Sequence, residues 1–219
     1  MHYKHIDLNQ KKISLPIGKV VCVGRNYADH AKELNNKVPE EPLLFMKPNT
    51  ALTHFSDPIS IQHLSHAVHY ELEVVILIGQ ELKQAQKEHI LPAIAGVGLS
   101  LDLTLRDVQN QLKSEGYPWE KAKAFDGSCP TSFFCTQKNI DLTNLSLQLS
   151  INNKIVQQDN TRNMIFDIVS LIQYTSSHFT LLPGDIVLTG TPAGVGKLNH
   201  QDMLSASLHD FISLTTSVC

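Results

Sequence analysis

The four cysteines in 219 residues, Cys22, Cys129, Cys135 and Cys219, form no CxxC pair and no zinc-type Cys/His spacing. That excludes a thiolate zinc site read from spacing and leaves reduced thiols, with Cys22 a small residue inside an apolar strand. No apolar run approaches the length that spans a bilayer. The N-terminus, Met-His-Tyr-Lys-His-Ile-Asp, has neither a signal-peptide core nor an Arg-rich amphipathic pattern, so the expected compartment is the cytosol (cytoplasmic). Positive charge is not in surplus: 18 Lys+Arg against 21 Asp+Glu leave a net charge of −3, which gives no electrostatic basis for binding nucleic acid or an anionic membrane. Internal repeats, linkers and low-complexity tracts are also missing. The 42% hydrophobic and 18% charged residues describe a globular chain able to bury one sizeable core, read as a single unit over 1–219.

The richest segment is His69 to Gly79, an apolar strand that carries Glu71 and Glu73. Side chains alternate along a strand, so both carboxylates share a face with Val75 and Leu77, while Leu72, Val74, Ile76 and Ile78 take the other. Apolar residues on both faces mark a strand buried on two sides. Two like charges there are costly unless a cation neutralises them. A solvated edge pair is the plain alternative for this strand taken alone.

Around it, Lys19 to Val23 reads as a strand and Asn26 to Leu34 as a short helix, N-capped by Asn26 and stopped by Asn35-Asn36. Residues 1–18 read as a hairpin and turn, and 37–60 as Pro-punctuated irregular chain. Gly96 to Thr104 alternates again, leading into a helix capped by Thr104, striped by Leu105, Val108 and Leu112, and ended by Gly116. After a loop-rich stretch at 117–135, Leu145 to Val156 predicts a hairpin turning at Asn152-Asn153. Ile165, Ile168, Val169 and Ile172 predict a helix after Asn163, and Leu182 to Asp185 a turn into a strand from Ile186 to Thr189, with further strand beyond. Strands and helices do not alternate regularly, so the fold class is strand-rich α+β, a roll or barrel with a few short helices.

Asp102 adds a third carboxylate, on the face of its strand shared with Ser100 and Thr104. An all-oxygen set without His or Cys suits Mg²⁺ or Mn²⁺, and Ca²⁺ less well. His30 and Glu33, at i and i+3, are neighbours on the short helix, where a carboxylate can orient an imidazole base. From the residues alone the plain reading, an exposed helix face, is favoured. Arg106 and Gln109 share the first turn of the helix after Asp102, Lys123 lies in the loop-rich stretch, and Arg25 and Lys47 lie near strand ends. Such cations beside an acidic site suggest a small anionic substrate such as a carboxylic acid. Thr189 to Lys197 is Gly-rich, but the distance from Gly190 to Gly196-Lys197 is one residue too long for a P-loop, and Leu198 stands where Ser or Thr is required. Gly190 and Thr191 are better read as a turn offering N–H groups and a hydroxyl to a carboxylate.

Five stretches in order, Val23 to His30, Glu71 to Glu73, Asp102 to Gln109, Trp119 to Pro130 and Pro183 to Gly196, resemble the fumarylacetoacetate hydrolase family over nearly the whole chain, nearest its small acylpyruvate hydrolase group. The resemblance implies a mixed β-roll of the fumarylacetoacetase C-terminal-domain type, a homodimer, and Mg²⁺ or Mn²⁺ held by Glu71, Glu73 and Asp102. It implies His30 and Glu33 as the catalytic pair on a lid helix, Lys123, Gln109 and Arg106 lining the site, and Thr191 contacting a substrate carboxylate. The activity it implies first is hydrolysis of a C–C bond in acylpyruvates (2,4-dioxo acids) to pyruvate and a carboxylic acid. Decarboxylation or keto–enol tautomerisation of oxaloacetate, or isomerisation in aromatic catabolism, are alternatives at the same metal site; a non-catalytic metal-binding module is the remaining one. Ala124, where relatives have Gly, and Gln201-Asp202, where a Gly-Asp turn is usual, depart from the pattern.

Overall fold

The computed structural model describes residues 3–34, 36–138 and 140–219. In chain order the first elements are β1 (Val20–Gly24), α1 (Ala28–Glu33), β2 (Leu43–Lys47), β3 (Leu52–His54), β4 (Val68–Tyr70) and β5 (Leu72–Ile78). There follow α2 (Lys87–Ala93), β6 (Ile94–Leu101), β7 (Thr104–Leu105), α3 (Arg106–Glu115), α4 (Glu120–Lys123) and β8 (Cys129–Thr131). The remainder is β9 (Ser146–Ile151), β10 (Lys154–Asn160), α5 (Ile168–His178), β11 (Ile186–Leu188), β12 (Gly196–Lys197), β13 (Met203–Leu208) and β14 (Ile212–Ser217). This is the strand-rich α+β architecture expected.

Seven strands form a mixed sheet in the order β2-β1-β11-β5-β6-β8-β3, with β1 parallel to β11 and β3 parallel to β8. A second, antiparallel sheet runs β10-β9-β13-β14, and a small third one β12-β4-β7. All seven residues of β5 are buried. Leu72, Val74, Ile76 and Ile78 pack into one apolar cluster with Leu99, Leu101, Ile168 and Ile172, while Val75 and Leu77 join Val20, Cys22, Ile186 and Leu188 in another. The strand is therefore covered on both sides, and each fully buried Leu or Ile contributes roughly 1.5–3 kcal/mol to holding it there.

The register brings the chemistry to one edge. Because β5 runs antiparallel to both β11 and β6, and β1 runs parallel to β11, the start of β5 lies beside the C-terminal ends of β1, β6 and β11. The Asn152-Asn153 turn is as expected, with φ of 51° and 65°. So is the helix stop at Gly116, at φ 70°. Gln201 takes a φ of 69° at the position where the family resemblance led to the expectation of glycine, and Asp202 accepts from Asn199 N at 2.7 Å, so the turn forms without it.

Several local expectations fail for tertiary reasons. Asn26 does not cap α1, whose N-cap is Tyr27; its side chain instead bridges Phe166 and Thr189, donating to both carbonyls and accepting from Phe166 N. Thr104 belongs to β7 because it pairs with His69 of β4, so α3 starts at Arg106. The helix placed after Asn163 begins at Ile168, capped by Asp167, because Ile165 N is bonded to Asn26 O. The stretch at 37–60 contains β2 and β3, and the stretch at 117–135 contains α4 and β8. Asn35, half of the expected helix stop, lies outside the described residues, as do Met1 and His2.

Candidate active site

Glu71 falls at the joint between β4 and β5, the point at which the chain passes from the three-stranded sheet to the seven-stranded one. Opposite it, β6 ends at Leu101, and Asp102 N donates to Glu71 O at 2.8 Å, so the backbones hold these two carboxylates side by side. Glu73 is one face-sharing step further along β5. Glu71, Glu73 and Asp102 are 4%, 2% and 1% exposed, and each offers a carboxylate oxygen within 4.8 Å of the others.

Three cations answer these charges. Lys123 Nζ donates to Glu71 at 2.8 Å and to Asp102 at 2.5 Å, and Arg106 pairs with the other oxygen of Glu71 while donating to Gln109 at 2.7 Å. Lys47 lies 2.9 Å from Asp102 Oδ1. Burial pushes Glu71 up, but Lys123, Arg106 and His30 outweigh it and hold its carboxyl well below the usual range. Glu73 goes the other way: burial, then the charges of Asp102 and Glu71, push it well above that range. Burial also opposes the charge on Lys123, yet Asp102 and Glu71 raise it. A buried trio of hard oxygen donors in which one carboxyl cannot easily ionise, and in which Asp102 Oδ1 has the Lys47 charge beside it but no hydrogen bond of good geometry, is a donor set that a divalent cation satisfies.

Above the trio a cavity of about 280 Å³ opens. Of the residues singled out in the sequence, it brings together Arg25, His30, Glu33, Glu71, Glu73, Asp102, Arg106, Gln109, Lys123 and Thr191. His30 is buried in its wall, with Nδ1 3.4 Å from Glu33 Oε2. Burial lowers the His30 pKa, and Glu71 and Glu33 offset this in part, so the ring is neutral near pH 7. Glu33 also accepts from Gly194 N at 3.1 Å and 3.2 Å, which ties α1 down onto the Gly-rich turn. Gly194, at φ 98°, has no room for a side chain: a Cβ there would sit 2.0 Å from Val156 O.

Three of the residues expected to contact substrate make hydrogen bonds within the protein. Lys47 does not line the cavity; its ammonium, almost fully buried, donates to the carbonyls of Leu103, Lys123 and Ser128, propping the segments that carry Asp102 and Lys123. Gly190 N donates to Glu73 Oε2 at 2.7 Å. The Thr191 hydroxyl donates to Leu72 O at 2.8 Å and accepts from Gln157 Nε2 at 2.8 Å, so its proton is already committed. Turn and strand are thus bonded to each other.

Gln157 was not singled out by the sequence. Buried in β10, it accepts from Leu72 N at 2.9 Å and donates to Thr191 and to Pro192 O at 2.9 Å. Both backbone groups of Leu72, the residue between the two glutamates, are thereby fixed by Gln157 and Thr191. Nothing near Gln157 in sequence signals this. Asn36, Leu43, Phe45, Asn110, Lys113 and Trp119 also line the cavity. Lys113 could have been found, because it lies seven residues after Arg106, on the same helix face. The Phe45 ring packs 5.9 Å from that of Trp119, and Lys123 Nζ lies 5.0 Å from the Phe45 centroid.

Comparison with known proteins adds to this geometry. The family model for the fumarylacetoacetate (FAA) hydrolase C-terminal matches residues 19–219. The chain is 51% identical to oxaloacetate tautomerase YcgM of Escherichia coli (strain K12), over 99% of both chains. Among solved structures, a fumarylacetoacetate hydrolase family protein from Yersinia pestis CO92 superposes with a TM-score of 0.96 at 49% identity, covering 99% of this chain and all of the other. A fumarylpyruvate hydrolase from Pseudomonas aeruginosa, solved with Mn²⁺ and pyruvate, gives 0.91 at 28% identity, covering 100% of this chain and 96% of the other.

Proposed function

The chain belongs to the fumarylacetoacetate hydrolase family, and from that premise we propose that it is a divalent-metal-dependent enzyme acting on oxaloacetate, with keto–enol tautomerisation as its reaction. The observation that carries this reading is the buried Glu71/Glu73/Asp102 trio facing a cavity that also holds a neutral imidazole and several cations. The full-length likeness to a tautomerase supports oxaloacetate over the acylpyruvate cleavage that the family resemblance implied first.

Glu71, Glu73 and Asp102 would hold Mg²⁺ or Mn²⁺, which when bound supplies positive charge that polarises the oxo acid and stabilises an enolate. His30 directs Nδ1–H at Glu33, leaving Nε2 as the basic nitrogen. That atom takes a proton from C3 of the keto acid, and the C–H electrons become the C2–C3 double bond. The proton now on Nε2 passes to the C2 oxygen, completing the enol and restoring the neutral imidazole, while the Lys123 ammonium stabilises the negative charge that develops on that oxygen; the reverse sequence returns the keto form. Arg106 and Gln109 orient the carboxylate beside the trio.

A second reading, hydrolysis of 2,4-dioxo acids, uses the same residues with His30 taking its proton from water. The His30–Glu33 pair and the more distant fumarylpyruvate hydrolase support it. The deciding assay follows enol-oxaloacetate absorbance, and pyruvate release from oxaloacetate and from acetylpyruvate, with Mn²⁺ or chelator and against Mn²⁺ alone. Metal-dependent loss of enol faster than pyruvate appears is the expected result. Faster cleavage of acetylpyruvate would transfer the assignment to hydrolysis, and no rate above the metal-only control would end the enzyme reading.

A further inference from the structure

The cavity has two chemically different ends. Its floor is the carboxylate trio with Lys123 and Arg106. Further out are two more cations, Arg25 after β1 and Lys113 in the last turn of α3, with the amides of Asn36 and Asn110 beside them in the lining. Arg106 is paired with Glu71, and Lys123 with Glu71 and Asp102. Among the described residues, by contrast, neither Arg25 nor Lys113 has a carboxylate within ion-pair distance. Lys113 Nζ reaches only Asn36 Oδ1, at 3.3 Å. Its pKa is lowered by burial and then by Arg25 and Arg106, which places three like charges within electrostatic reach of each other.

Two further observations point outward from this cluster to a ligand. Arg25 holds a φ of 60°, a left-handed backbone that glycine or asparagine adopts more cheaply, so a strained position is filled by a cationic side chain lining the cavity. The charged lining also balances. It contains four carboxylates (Glu33, Glu71, Glu73 and Asp102) and four cations (Arg25, Arg106, Lys113 and Lys123), so a divalent ion on the floor leaves the cavity two positive charges in excess. A monoanion neutralises half of that excess, and a dianion all of it.

We propose that Arg25 and Lys113 form a second carboxylate subsite, which makes the cavity selective for short 2-oxo dicarboxylates over their monocarboxylate analogues. The inference rests on the oxo-acid reading of the floor and adds the recognition of the distal end. Asn36 and Asn110 complete the subsite as neutral hydrogen-bonding partners, and Lys113, through Asn36, connects the chain following α1 to the bound anion.

The test separates this subsite from turnover by using two non-reacting acids that share a 2-hydroxy acid end, malate with a distal carboxylate and lactate without one. Calorimetric titration of the Mn²⁺-loaded protein is expected to show malate binding about tenfold or more tighter than lactate, the scale of one charge-assisted contact. Arg25→Asn, which suits the left-handed backbone, and Lys113→Glu should each collapse most of that gap by weakening malate alone, and Lys113→Arg should restore it. KM for oxaloacetate should rise in parallel with the loss of malate affinity. Equal affinity for the two acids in the wild type, or variants that weaken both acids alike, would overturn the subsite. Should the wild type bind malate selectively yet turn over no oxaloacetate, the subsite stands and only the proposed reaction fails.

Discussion

Glu73 and His30 show how single residues are tuned by burial. Glu73 is buried against Asp102 and Glu71, and among the described residues its one hydrogen-bond donor is Gly190 N–H. A carboxyl whose folded pKa lies above its unfolded value contributes stability below the unfolded pKa and loses it as the pH rises. Glu73→Gln, which keeps an acceptor for Gly190, should therefore raise the melting temperature of the metal-free protein at pH 7 but not at pH 4. The same variant should bind Mn²⁺ far more weakly, and thermal melts in chelator together with a Mn²⁺ titration read both effects. For His30 the displacement is downward, so the free base persists below the ordinary histidine value of about 6.5. The acid limb of kcat/KM should fall only below that pH, and His30→Ala should lower kcat by about 10²–10⁴-fold while leaving Mn²⁺ affinity in place. A profile that begins to fall above pH 7 would contradict the assignment.

At the level of elements, the site is an agreement between three strand ends, one turn and the middle of a fourth strand. β5 supplies Glu73 and is preceded by Glu71, β6 is followed by Asp102, β11 leads into the Gly-rich turn, and β10 reaches across with Gln157 to bond strand to turn. Removing the Gln157 amide leaves Leu72 N and Pro192 O buried without their partner. Gln157→Leu should accordingly cost about 2–4 kcal/mol of stability by urea unfolding. Because Leu72 stands between the glutamates, Mn²⁺ affinity should fall with it, and Gln157→Glu, which keeps only the acceptor to Leu72, should lie between the two. Gly190 and Thr191 belong to this same network: their donors hold Glu73 and Leu72.

Across the whole molecule, the acidic cluster is tolerated without a metal because Lys123, Lys47 and Arg106 surround it. The chelated protein should stay folded, and saturating Mn²⁺ should raise its stability by about 2.7 kcal/mol at one hundred times Kd, read as a rise in melting temperature. Glu73→Gln should lose that increment. If chelator unfolds the wild type, the lysine and arginine compensation is insufficient. No helix among the described residues is long and apolar enough to cross a membrane.

The two-sided burial of β5, the three carboxylates, the Asn152-Asn153 turn and the Gly116 helix stop were legible in the sequence. They depend on local periodicity, on residue chemistry and on positive φ, all of which are written in neighbouring residues. The start of α3, the true cap of α5, the strands within 37–60 and the buried duty of Lys47 were not legible. Each is settled by a partner far along the chain: His69 for Thr104, Asn26 for Ile165, β1 for β2, and the Leu103, Lys123 and Ser128 carbonyls for Lys47. By itself the sequence determined which groups could meet a hard cation and an anionic acid. Only the tertiary structure decided which of them reach the cavity, because hydrogen-bond partners and strand register are set by long-range packing.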